Sequence, residues 1–137
     1  MDAIDKVNIR LKKILEYTNR LKKYQGMTRE NLLEDPEKTA AIERFFQLAI
    51  EAVIDVTNLL NAEYRFRPAQ DAKESIRILG EEGVLDEKFA ENFSGVASFR
   101  NILVHQYLDI DYQKVADDLN HLDDFEKFAT QVARYLK

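Results

Sequence analysis

The stretch from Pro36 to about Tyr64 constrains the fold more than any other part of the chain. Ile42, Phe45, Phe46, Ala49, Ile50, Val53, Ile54, Val56, Leu59 and Leu60 recur at helical steps and cover most of a helix's circumference. A helix apolar nearly all round belongs inside a protein, so the other segments must wrap this one. Its start is written into Asp35-Pro36: aspartate can accept from the free N–H groups of the first turn, and proline at the first helical position gives up a donor that had no partner anyway.

The flanking segments supply the wrapping. Ile4, Val7, Leu11, Ile14, Leu21 and Tyr24 predict an amphipathic helix from about Asp2 to Tyr24, closed by Gly26. Thr28 can then cap a short turn through Asn31-Leu32-Leu33. Beyond the break at Arg65-Phe66-Arg67-Pro68, Gln70 to Leu79 reads as a third helix ended by Gly80 and Gly83. Asp86 caps a fourth helix that begins Glu87-Lys88-Phe89 and runs to Tyr107, and a fifth spans about Tyr112 to Leu136. With only four glycines and two prolines there is little turn chemistry for strands. The expectation is an all-α, antiparallel bundle of about five helices in a single domain, residues 1–137.

Absent cysteine excludes a disulfide scaffold, a thiolate metal site and a cysteine nucleophile. Met1 to Gln25 is charged throughout, with no signal-like apolar run, and no stretch reaches membrane-spanning length on this reading, so the cytosol is the expected compartment and no membrane partner is expected. The net charge of −5 argues against phosphate partners, yet residues 1–25 carry seven basic side chains against three acidic ones, a local +4 that leaves −9 elsewhere. A solvated helix face is the commoner reason for such a run.

The chemistry-bearing stretch is Ser98-Phe99-Arg100-Asn101-Ile102-Leu103-Val104-His105-Gln106-Tyr107. On one continuous helix, Phe89, Phe93, Val96, Arg100, Val104 and Tyr107 share a stripe, so Arg100 interrupts an apolar face. A guanidinium cannot shed its charge, and burying it is costly unless anionic or carbonyl groups surround it. His105 projects to the far side with Ser94, Ala97, Ser98 and Asn101, a small or polar face that would admit another helix. Arg100 and His105 therefore do not converge on one straight helix. Either the helix ends near His105 or a second copy supplies the missing group.

Two histidines at unrelated positions form no metal-binding pair, so no metal and no cofactor is expected, and His121 beside Asp123-Asp124 reads as surface. Arg44, Gln47, Glu51, Asp55 and Asn58 line one stripe of the central helix. They form either its solvated face or a polar cleft lining in which Glu51 or Asp55 holds Arg100 or orients His105; spacing alone favours the first. Arg100, His105 and Tyr107 suit phosphodiester chemistry: histidine moves a proton near neutral pH, arginine stabilises charge on a phosphorane, and tyrosine hydrogen-bonds or stacks a base.

Arg100-Asn101-Ile102-Leu103-Val104-His105-Gln106-Tyr107 resembles the Arg-x4-His-x-Tyr signature of the HepT-like branch of the HEPN superfamily, the toxin half of HEPN/MNT toxin–antitoxin pairs. Ile42 to Asp55 and Asn101 to Asp111 resemble that branch's core helix and motif region. The resemblance implies a homodimer that cleaves RNA without metal and leaves a cyclic phosphate, with Arg100 and His105 as the catalytic pair. It further implies that a minimal nucleotidyltransferase (MNT) antitoxin attaches AMP to Tyr107. Asn101, Glu51 and Asp55 are candidate supporting polar residues. A two-fold interface would place two His105 and two Arg100 side chains in one cleft, answering the need for both a proton acceptor and a donor. The competing reading is a non-catalytic HEPN protein that binds nucleotide or RNA, or serves as the nucleotidyltransferase's partner.

Overall fold

The computed structural model describes the backbone of all 137 residues and every side chain except that of Tyr107. It contains α1 (Ala3–Lys22), α2 (Arg29–Glu34), α3 (Pro36–Tyr64), α4 (Ala72–Glu81), α5 (Glu87–Phe93), α6 (Val96–His105), a 3-10 turn (Tyr107–Asp109), α7 (Tyr112–Leu119) and α8 (Asp123–Tyr135). The all-helical expectation holds, with α3 bounded as its sequence indicates. The helix starts are local chemistry: Asp2, Asp35, Asp71, Asp86 and Asp111 each accept from backbone N–H groups of the first turn, and Thr28 with Asn31 closes a reciprocal capping box.

Eight α-helices replace the expected five because two long segments break and the short turn after Thr28 is helical. One break lies at Ser94-Gly95, between α5 and α6. Glycine is a poor helix former, and the Ser94 hydroxyl donates to the Glu91 carbonyl at 2.7 Å, ending α5. The other lies at Asn120-His121-Leu122, where the Asn120 side-chain oxygen accepts from the Gly26 N–H at 3.2 Å and ties the loop after α1 to the α7–α8 corner. Gly80 does not end a helix but sits within α4, where an added Cβ would lie 2.7 Å from the Ala90 Cβ on α5; Gly83, at φ +78°, makes the turn.

α1 lies antiparallel along α3, with Arg10 against Asp55 and Tyr17 near Leu48. α8 packs on α1, starting where Lys22 pairs with Glu126 at 2.7 Å and ending where Tyr135 meets Tyr64 edge to face. α6 and α4 cover the remaining sides of α3. α3 is long and apolar enough to cross a membrane, contrary to the expectation that no stretch is, but its apolar residues are spent on this bundle: Ile42, Phe46, Ile50, Val53, Val56 and Leu60 are at most 1% exposed.

An aromatic cluster fixes where α6 sits. Phe46 of α3 meets Phe99 edge to face at 5.6 Å, and Phe93 meets Phe125 and Phe128 at 5.5 Å each. Ending α5 after Phe93 lets that ring seat on α8, while α6 turns to lay Phe99 on α3.

Near this cluster, burial raises the Glu43 carboxyl above the ordinary 4.5, partly opposed by a hydrogen bond from the Tyr112 hydroxyl. A raised carboxyl favours the folded state most at low pH, and that contribution fades as pH climbs from about 4.5 through the folded value. Glu43→Gln should therefore gain stability relative to the parent as pH rises from 4.5. Denaturant melts across that range would show it, and a pH-independent difference would refute it.

Candidate active site

α6 carries both motif side chains. Arg100 is half-buried, and its Nε is buried with no hydrogen-bond partner among the described residues. A buried guanidinium N–H without an acceptor is unfavourable in an isolated subunit and is relieved by an anionic oxygen brought from outside. Val96 and Val104, one turn to either side on the same face, are also half-buried, so the charge is held in an apolar rim.

His105 is the last residue of α6 and is exposed. Of the two alternatives open from the sequence, the helix does end at His105: Gln106, at φ −129° and ψ 39°, leaves helical geometry and the 3-10 turn follows. The two side chains nevertheless remain apart along the helix, separated by about 7.5 Å of rise and about 140° of rotation. Asn101, one turn before His105, is exposed on its stripe, as is Ser98. The Tyr107 side chain lies outside the described residues; its backbone opens the 3-10 turn that follows α6.

The small face expected to receive a second helix is largely used up within the subunit. Ser94 is fully buried and Ala97 is 3% exposed, both packed into the chain's own core after the break at Gly95 turns them inward. What α6 leaves facing outward is Ser98, Asn101 and His105, continued by Leu108, which is 85% exposed.

Glu51 and Asp55 do not join Arg100 within the subunit. Asp55 faces Arg10 of α1 at 3.6 Å, and Glu51 accepts from Gln47 at 3.2 Å; both line a groove between α1 and α3. They point about 140° and 180° around α3 from Phe46, the residue that faces α6. The solvated-face reading fits this placement. The basic run on α1 is likewise partly neutralised at home: Lys13 and Arg20 pair with Glu16, and Lys22 pairs with Glu126.

Comparison with known proteins places this arrangement. The family model for Ribonuclease HepT-like proteins matches residues 14–132, taking in α2 to α7, parts of α1 and α8, and the whole Arg-x4-His-x-Tyr motif. The chain belongs to the HepT-like family. It is 27% identical over 131 residues to the tRNA nuclease HepT of Aphanizomenon flos-aquae, covering 95% of this chain and 89% of that protein. It is 29% identical over 83 residues to the mRNA nuclease HepT of Shewanella oneidensis, covering 60% of this chain and 62% of that protein. Among solved structures, the tri-AMPylated HEPN toxin of Shewanella oneidensis in complex with its MNT antitoxin superimposes with a TM-score of 0.84 at 22% identity, over 95% of this chain and 98% of the toxin. The fold of this HepT-like protein is thus a HEPN bundle, as its motif indicated.

Sequence reasoning missed a second group of polar residues. Lys114, Asp118, His121 and Asp124 converge at the α7–α8 corner beside Val96 and Phe99 of α6. Only the break after Leu119 brings them together, and the lone signal for it was Asn120, a residue that favours helix ends.

Proposed function

We propose that this HepT-like protein is the endoribonuclease toxin of a HEPN/MNT pair, acting in the cytosol on RNA in a cleft formed by two copies of the chain. The observation that carries the reading is Arg100 held half-buried, its Nε without a hydrogen-bond partner among the described residues, on the helix that ends in His105. RNA brings its own nucleophile: a 2′-hydroxyl attacks the adjacent phosphorus and the 5′-oxygen of the next nucleotide leaves, giving a 2′,3′-cyclic phosphate and a free 5′-hydroxyl. His105 takes the proton from the 2′-hydroxyl, the partner's His105, in its protonated form, delivers one to the leaving oxygen, and the Arg100 guanidinium stabilises the phosphorane. None of these steps routes through a metal ion. Asn101, exposed one turn before His105, hydrogen-bonds the RNA in this reading. The outward stripe of Ser98, Asn101 and His105 with Leu108 supplies the surface for the two-fold contact.

Neutralisation falls on Tyr107. Its phenolic oxygen attacks the α-phosphate of ATP bound to the cognate minimal nucleotidyltransferase, pyrophosphate leaves, and the phenol's proton passes to solvent. The attached AMP carries a phosphate that competes for Arg100 and a base that obstructs the RNA path. Support comes from the position of Tyr107 two residues after His105 and from the AMPylated state of the structurally similar toxin. Incubation with the nucleotidyltransferase encoded beside its gene and ATP should add AMP to the wild type and leave Tyr107→Phe at its original mass, with cleavage by Tyr107→Phe escaping inhibition. An unchanged wild-type mass, or equal modification of Tyr107→Phe, rejects the assignment.

A further inference from the structure

The C-terminal end of α3 presents aromatic rings and free cations together. Tyr64 closes the helix, and Arg65 follows at φ 55° and ψ 45°, the one non-glycine residue with positive φ among the described residues. A side chain is strained in that left-handed conformation, where glycine would rest easily. The reversal it makes brings Phe66 back to stack on Tyr64, ring centres 5.8 Å apart and planes 19° from parallel. Tyr135, at the end of α8, meets the same Tyr64 ring edge to face at 5.4 Å. Tyr64 and Tyr135 nevertheless stay 39% and 37% exposed. Arg67, one residue beyond Phe66, donates to both oxygens of Glu81 at 3.0 and 2.8 Å and to Glu74 at 3.1 Å, clasping this segment to α4. Arg65 and Arg134 are exposed and take part in no ion pair or side-chain hydrogen bond among the described residues. Arg134 and Tyr135 also line a cavity of about 270 Å³ with Gln131 and Asp86. The Gln131 side-chain oxygen accepts from the Asp86 N–H at 2.8 Å, which leaves its amino group to donate, while the Asp86 carboxylate is committed to the Phe89 N–H at 3.1 Å.

We propose that this patch anchors RNA outside the cleavage cleft, unpaired bases stacking on Tyr64 and Tyr135 while Arg65 and Arg134 meet the flanking phosphates. Rings and cations alternate along the chain, as Tyr64-Arg65-Phe66-Arg67 and Arg134-Tyr135, which suits a polyanion carrying flat bases. The core of a protein contact is instead depleted in charge. The exposed aliphatic side chains lie elsewhere, Ile9 and Leu15 on α1, Leu33 on α2 and Leu108 after α6. On a chain of net charge −5, a phosphate strand is held only where cations are free, and here two stand beside exposed rings. The Arg67 clasp fixes the segment beforehand, so less freedom is lost on binding.

The anchor is remote from the motif. Tyr64 lies eighteen residues beyond Phe46, the residue against which Phe99, next to Arg100, packs. That separation is about 27 Å along α3. At about 3.4 Å per stacked nucleotide, one strand spans it in roughly eight nucleotides. Long RNA should therefore engage both places and short RNA only the cleft. That the anchored strand is the substrate rests on the nuclease reading above; the binding of RNA itself does not.

The test is the full chain carrying Arg65→Gly and Tyr135→Ala. The first change relieves the left-handed strain as it removes a cation, and the second removes an exposed ring at a helix end, so helix content should be retained. For a single-stranded RNA of about twenty nucleotides, KM should rise about tenfold or more with kcat unchanged, while an RNA of about four nucleotides is cut as by the parent. Tyr135→Phe keeps the ring face and should behave as the parent. Added to Arg100→Ala and His105→Ala, which remove turnover, the same two changes should weaken binding of the longer RNA about tenfold, read by fluorescence anisotropy. Unchanged KM and affinity for the longer RNA overturn the proposal, as does an equal loss on both lengths, which would place the effect in the cleft or the fold. Unchanged RNA affinity with lost binding to the nucleotidyltransferase makes the patch a protein contact and overturns it too. RNA binding that depends on the patch, in a protein that cuts no RNA, keeps the anchor and rejects the nuclease reading alone.

Discussion

Arg100→Ala and His105→Ala are each expected to abolish RNA cleavage and growth inhibition while leaving helix content and dimer formation unchanged. Loss of His105 removes proton transfer, worth about a hundred- to ten-thousand-fold in rate. Loss of Arg100 removes charge stabilisation at the phosphorane, worth roughly a hundred- to a thousand-fold. Neither change should unfold the chain: His105 is exposed at the helix end, and the Arg100 Nε has no hydrogen-bond partner to lose among the described residues. Cleavage by the parent should persist in chelator. Mixing the two inactive variants provides a sharper measurement. A mixed dimer keeps one Arg100 and one His105, so with a His105 needed from each subunit activity should not return; recovery on mixing would show that a single histidine suffices and that the proton donor lies elsewhere. Activity that survives both substitutions, or that chelator eliminates, would mean that the Arg/His mechanism is wrong.

Phe46→Ala should cost roughly 3–5 kcal/mol, the range for emptying a well-packed aromatic site. Phe46 is 1% exposed and touches both Phe99 and Phe125, so its removal opens a void where α3, α6 and α8 meet. In a domain of this size the melting temperature would drop by roughly 10 °C or more. Phe46→Leu keeps most of the apolar volume and should cost less. Because Phe99 precedes Arg100, loosening this contact should also lower cleavage in the folded fraction. A denaturant midpoint unchanged by Phe46→Ala would show that the cluster does not hold the bundle together.

How much of this was legible in the sequence depended on how local its cause was. The start of α3 at Pro36 followed from Asp35 and proline chemistry, and its central position followed from apolar residues around its whole circumference; both are properties of adjacent residues. The motif's family, and with it the pairing of Arg100 with His105 as candidates, followed from spacing within a single helix. The end of α6 at His105 was one of two alternatives that the sequence left open, because Gln106 carries no strong stop signal.

Tertiary contacts decided the rest. The same helical spacing in residues 87–105 fits one long helix or two short ones, and two won because a weak point at Ser94-Gly95 lets Phe93 reach α8 while Phe99 reaches α3. That bend buries Ser94 and Ala97, which a straight helix would have shown to a neighbour. The stripe holding Glu51 and Asp55 was visible, but its direction was set by α1 packing along α3 with Arg10 opposite Asp55. The convergence of Lys114, Asp118, His121 and Asp124 on an aromatic cavity had no local signature, since it arises where two helix breaks far apart in the chain meet. Periodicity tells which face of a segment is apolar; only the packing of segments against one another selects where a helix bends and which polar groups share a site.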